Sequence, residues 1–86
     1  MKTETAIKIV DKVFQIGESP KHYASVDFST NKHTFAAAVH IHYKDNHGLS
    51  AGLVDTRYFN NESSYIMHSD WLNGWISQIG SERESN

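Results

Sequence analysis

The stretch Phe35-Ala36-Ala37-Ala38-Val39-His40-Ile41-His42-Tyr43-Lys44-Asp45-Asn46-His47-Gly48 decides the fold. Phe35, Ala37, Val39, Ile41 and Tyr43 alternate with Ala36, Ala38, His40 and His42. A period of two marks a strand with one buried face. Asp45-Asn46-His47-Gly48 then supplies turn residues, with Gly48 placed for a left-handed backbone. A second strand over residues 49–59 therefore returns antiparallel to the first. A loop over 45–48 pairs Val39 with Val54 and Phe35 with Tyr58, which sets apolar side chains opposite one another. That register leaves His40, His42, Leu53, Asp55 and Arg57 on the other face.

Upstream, Ala24, Val26 and Phe28 alternate with Ser25, Asp27 and Ser29, which adds a strand over 23–29. Thr30-Asn31-Lys32-His33 is the turn between the two. Residues 3–16 read as a helix, with a stripe of Ala6, Ile9, Val10, Val13 and Phe14. Thr3 is the expected N-cap, Glu4 suits the first turn, and Gly17 is the expected C′ residue before Pro20. The β-branched Ile7, Ile9, Val10, Val13 and Ile16 keep a strand open as the alternative.

Downstream, Asn60-Asn61-Glu62-Ser63 reads as a turn and 65–68 as a short fourth strand. Ser69 then caps a helix that carries Asp70 in its first turn and an apolar stripe of Trp71, Leu72, Trp75, Ile76 and Ile79. Gly80 is its expected end. The sum is one small α+β domain over 1–80: an N-terminal helix, an antiparallel meander of three to four strands and a C-terminal helix. Residues 81–86 form a polar flexible tail.

Composition narrows the function. The chain has 86 residues, 38% hydrophobic and 21% charged, which suits one globular domain and leaves no room for a second core. It has no cysteine, which excludes a disulfide framework, a thiolate metal site and a cysteine nucleophile. The longest apolar run is five residues, 35–39, too short to span a membrane. The lack of cysteine fits a reducing, cytoplasmic setting, and Met1-Lys2-Thr3-Glu4 lacks the apolar stretch of a signal peptide. The net charge of −2 hides an asymmetry. Residues 1–44 carry six Lys and four acids; residues 45–86 carry two Arg and six acids. A chain built to hold phosphates would be basic, so nucleic acid is not the expected partner.

No catalytic constellation stands out. His40 and His42 lie two apart on one strand and share a face, so they form a weak candidate metal site with His47, His68 or Asp55 as a third ligand. Exposed polar residues are the preferred reading of both. Asp55, Arg57 and His40 could form an acid–base cluster, but a small sheet face offers little of the enclosure catalysis needs. There is no Gly-rich phosphate loop. Gly52 and Gly74 lie inside predicted elements, where glycine is costly, and each points to a close backbone approach within the fold or to a partner. Trp71 and Trp75 belong to the core stripe, yet tryptophan is also enriched at binding hot spots. The α-β-β-β-α order is shared with double-stranded RNA-binding domains, but those open their last helix with lysines. Here His68-Ser69-Asp70-Trp71 stands in that place.

Three stretches, taken in order, carry a resemblance: Lys12-Val13-Phe14-Gln15-Ile16, Leu53-Val54-Asp55-Thr56 and Ser69-Asp70-Trp71-Leu72-Asn73. Together they resemble the small early protein of short-tailed coliphages that inhibits the host dGTPase. The resemblance covers the first helix and residues 53–78; residues 20–48 depart from it. It implies a non-enzymatic inhibitor without a cofactor, acting in the host bacterial cytoplasm. Such a protein binds the oligomeric dGTPase stoichiometrically and preserves dGTP for phage replication. A phage or mobile-element inhibitor of another host enzyme, such as a defence nuclease, shares every compositional feature. The expected contact residues are Asp55, Arg57, Tyr58, Asp70, Trp71 and Trp75. Leu53, beside Ala51 on a polar face, also leaves a homo-oligomer open.

Overall fold

The structure, a computed structural model, describes residues 1–30 and 35–84. Helix α1 spans Thr3–Ile16, strand β1 His22–Thr30, strand β2 Phe35–Lys44, strand β3 Ser50–Phe59 and helix α2 Glu62–Glu84. The strands form one antiparallel sheet in the order β1-β2-β3. The protein is α+β, as its sequence pattern implies. The expected turn at Thr30-Asn31-Lys32-His33 lies, after Thr30, outside the described residues.

One core serves the whole molecule. Ala37, Val39 and Ile41 of β2, Phe59 of β3, Ile9 and Ile16 of α1, and Leu72 and Ile79 of α2 are buried together. Ala24 and Val26 of β1 pack against them. Both helices therefore cover the same sheet face. Burying each Ile, Leu or Phe in it contributes roughly 1.5–3 kcal/mol.

The turn at 45–48 forms as its residues require. Asp45 Oδ1 accepts the backbone N–H groups of His47 and Leu49, and Gly48 takes φ 78°. Gly17 ends α1 with φ 62° and donates its N–H to Val13 O. At the start of α1 the cap is Lys2, with no side-chain bond, rather than Thr3. The buried face of α1 also differs from the expected stripe. Thr5, Ala6, Ile9 and Ile16 point inward, whereas Phe14 is 81% exposed. The cause is α2. Thr5 Oγ1 donates to Glu62 and Lys12 Nζ donates to Asn73 Oδ1, so the side of α1 toward α2 is the one that packs.

The β2–β3 register departs from the expected one. Val39 lies opposite Arg57, and Ala37 opposite Phe59, with irregularities between Ile41 and His42 and between Tyr43 and Lys44. Ala51 and Val54 fall in these irregularities, opposite no β2 residue. Lys44 pairs with Ser50, already one residue off the expected register, and the two extra residues bring the shift to three; an odd shift turns the side chains of 55–59 to the opposite face. Phe59 is consequently buried, while Tyr58 is 71% exposed on the far face. Asp55 and Arg57 turn toward the helices instead of lying beside His40 and His42. Gly52, near the first irregularity, is packed under the Tyr43 ring, which would sit 2.8 Å from an added Cβ.

Among the described residues there is no fourth strand: residues 65–68 lie inside α2. Asn61 Oδ1 accepts the N–H of Ser64, and Ser64 Oγ accepts the N–H groups of Asn60 and Asn61. This reciprocal cap starts the helix well before Ser69. Tyr65, Leu72, Ile76 and Ile79 then share its inner side. The helix passes Gly80, and residues 81–84, expected as tail, are helical. Among the described residues no helix is long and apolar enough to cross a membrane.

Candidate functional site

Four of the six expected contact residues lie on the helix-covered side of the sheet, around the middle of α2. Trp71 Nε1 donates to Asp55 Oδ2 at 2.9 Å, and Arg57 donates to the same oxygen at 3.3 Å. The Arg57 guanidinium carbon lies 5.4 Å from the centre of the Trp71 ring. Burial alone would raise the Asp55 pKa. The bonds from Trp71, the Thr56 N–H and Arg57 outweigh it and hold the carboxyl below the usual carboxylate range. Trp71 is thus clamped at both its nitrogen and its ring face. Among the described residues the buried Arg57 Nε has no hydrogen-bond partner.

One turn further along α2, Trp75 lies 5.4 Å from the His22 ring. Both tryptophans are half-buried: they pack against the core and still reach the surface. With Gly74, Gln78 and His22 they line a shallow hollow of about 340 Å³. Gly74 is exposed, and an added Cβ there would meet nothing within 4 Å. The fold itself therefore supplies no reason for glycine at this position.

Below the hollow a polar cluster anchors the end of α2. Glu82 accepts from Ser19 Oγ at 2.6 Å, from His22 Nδ1 at 2.8 Å and from Gln78 Nε2 at 3.0 Å. Burial would raise its pKa, but these bonds overcome it and bring the carboxyl down to about 2. Sequence reading missed Ser19, His22, Gln78 and Glu82. Ser19 and His22 are about sixty residues from Glu82, and no local pattern joins them. Gly74 was legible, because a glycine inside a helix is costly wherever it occurs.

The remaining candidates are elsewhere. Tyr58 projects from the opposite sheet face, and Asp70 is exposed on α2. His40 and His42 do share the uncovered face, with ring centres 6.0 Å apart. His40 Nδ1 is 2.8 Å from Thr56 Oγ1 and its Nε2 is 3.1 Å from Asp27 Oδ2. His42 Nε2 is 2.8 Å from Ser25 Oγ, and the Tyr23 ring stacks on it at 4.4 Å. Burial, then the neighbouring His40, lowers the His42 pKa. Asp55 is on the other side of the sheet and cannot join them. Among the described residues no group of three His, Asp or Glu side chains is placed to hold a metal ion.

Comparison of the chain with models of protein families, with curated proteins and with solved structures gives no match.

Proposed function

We propose that this chain is a non-enzymatic inhibitor that binds another protein through the Trp71–Trp75 side of α2. The observation that carries the reading is Gly74. It lies inside a helix, an added Cβ there would meet nothing within 4 Å among the described residues, and it sits between two tryptophans that remain partly open. Glycine in such a place lets a partner's backbone approach closely, and tryptophan supplies the anchoring area that interfaces concentrate. The clamp by Asp55 and Arg57 holds Trp71 ready, which lowers the ordering cost of binding. The resemblance of residues 53–78 to the coliphage inhibitor names the target, host dGTPase in the bacterial cytoplasm. A dGTP-hydrolysing enzyme must attract a polyanion, and the acidic half of this chain, Asp70 included, suits an electropositive entrance.

Titration of the purified protein into a dGTPase assay tests this. Inhibition that reaches completion at a fixed molar ratio is expected, with slower association at high salt. Absence of inhibition at large excess sinks the target, and leaves a different host enzyme as the reading. The same preparation yields a second test. Gly74→Ala should raise stability by about 0.5–1 kcal/mol, because alanine suits a helix and nothing opposes its methyl group. It should also weaken inhibition. A stabilised variant that inhibits as well as the wild type would remove the argument from Gly74.

A further inference from the structure

Among the described residues a second unpartnered surface runs along the outer edge of β1. β1 is an edge strand, and its pairing with β2 runs unbroken from His22 to Thr30, without a bulge or a proline to blunt it. The outer edge of β3 differs, because both irregularities fall within its pairing. The first residues of β1 are already covered from outside. Ser19 N–H donates to His22 O, and Ala24 N–H donates to Gly17 O. These bonds show that the even-numbered residues of β1 aim their backbone groups away from β2. Val26, Phe28 and Thr30 therefore present N–H and C=O groups to the open edge.

An apolar groove runs beside that edge, between β1 and α1. It consists of two adjoining hollows of about 440 and 450 Å³, which share Val10 and Phe14. Phe14 is 81%, Ile7 63% and Phe28 39% exposed along it, and Phe28 stacks on Phe35 at 5.3 Å. The acids at its rim are engaged: Asp11 accepts from Gln15 and Glu18 from Lys44.

We infer that two copies of this chain pair through the outer edge of β1, antiparallel about Phe28, joining two sheets into one of six strands. In this register Val26 meets Thr30 of the second copy and Phe28 meets its own symmetry mate, a favourable aromatic pair. Asp27 lies opposite Ser29 and not opposite a second carboxylate. The two grooves merge into one apolar layer around the two-fold axis. The area suffices. With about 200 Å² for a whole aromatic side chain, Phe14, Ile7 and Phe28 leave roughly 350 Å² uncovered per copy. A pair thus hides roughly 700 Å² from three side chains alone, and the strand backbone and groove walls carry it past the ~1,000 Å² of a specific interface.

Sedimentation or light scattering on the untagged chain, at roughly 10–200 µM, reads the mass directly. A particle about twice 9.8 kDa is expected, dissociating on dilution. Phe14→Glu and Phe28→Lys, with unchanged circular dichroism, should both be monomeric. Tyr58→Ser, on the far sheet face, should still pair. A wild-type monomer throughout overturns the proposal, as does a dimer that survives both groove variants. A wild-type monomer whose Phe14→Glu form no longer inhibits its target would assign the groove to that target and equally overturn self-pairing. The mass measurement needs no target enzyme, so its outcome is separate from that of the inhibition assay.

Discussion

Phe59→Ala is expected to lower stability by about 3–5 kcal/mol, a large share of what a domain this small possesses. Phe59 is 0% exposed and lies opposite Ala37, where no larger neighbour can fill the space it vacates. It also meets the His68 ring edge-on at 5.4 Å, so the same ring holds the first half of α2 against β3. Tyr58→Ala, one residue earlier, should cost well under 1 kcal/mol, because that ring is 71% exposed. The contrast tests the register itself. The expected pairing of Phe35 with Tyr58 would have made Tyr58 the sensitive position. Urea denaturation of the two variants side by side decides between them. Equal losses would contradict the observed register.

The second large effect is at Glu82. Glu82→Ala removes the acceptor shared by Ser19, His22 and Gln78 and leaves three donors at a site where the carboxylate is 9% exposed. A loss of about 3 kcal/mol is expected, seen as a fall in Tm of roughly 15 °C. The pH dependence follows from the depressed carboxyl. Its pKa is about 2 in the folded chain against an ordinary value of 4.5. The unfolded chain therefore binds the proton first, and the stabilisation is complete above the ordinary carboxylate range. It disappears as the pH falls from about 5 toward 2, by an amount on the order of 2–3 kcal/mol. Glu82→Gln should start less stable and show a flatter acid limb. An acid limb identical to that of the wild type would place the titrating group elsewhere.

Both predictions rest on contacts whose visibility in the sequence differed. The alternation through β2, the Asp45–Gly48 turn and the Gly17 stop are local features, formed by residues a few positions apart. Their physics is complete within the segment: side chains alternate across a strand, and only glycine adopts the left-handed backbone without strain. The start of α2 was equally local, since Asn61 and Ser64 cap each other, but an aromatic, β-branched run at 65–68 masks it by resembling a strand. For the site, Trp71 and Trp75 are conspicuous as residue types, and Gly74 as a misfit in its helix. Their shared hollow with His22 is not, because His22 belongs to another element.

The sequence by itself determined the class of protein: one small cysteine-free α+β domain, its strand order, and an acidic C-terminal half. Local periodicity and composition suffice for that. Only the tertiary structure decided which face each β3 residue takes. A shift of three residues, one at the turn and two within the pairing, flips Asp55 and Arg57 from the open face to the tryptophan clamp, and buries Phe59 in place of Tyr58. A strand cannot express that choice alone. Its two faces become unequal only when the helices cover one of them, and the side that buries more apolar area without stranding a charge prevails. The same holds for Glu82, whose Ser19 and His22 partners are brought to it by the closing of the chain.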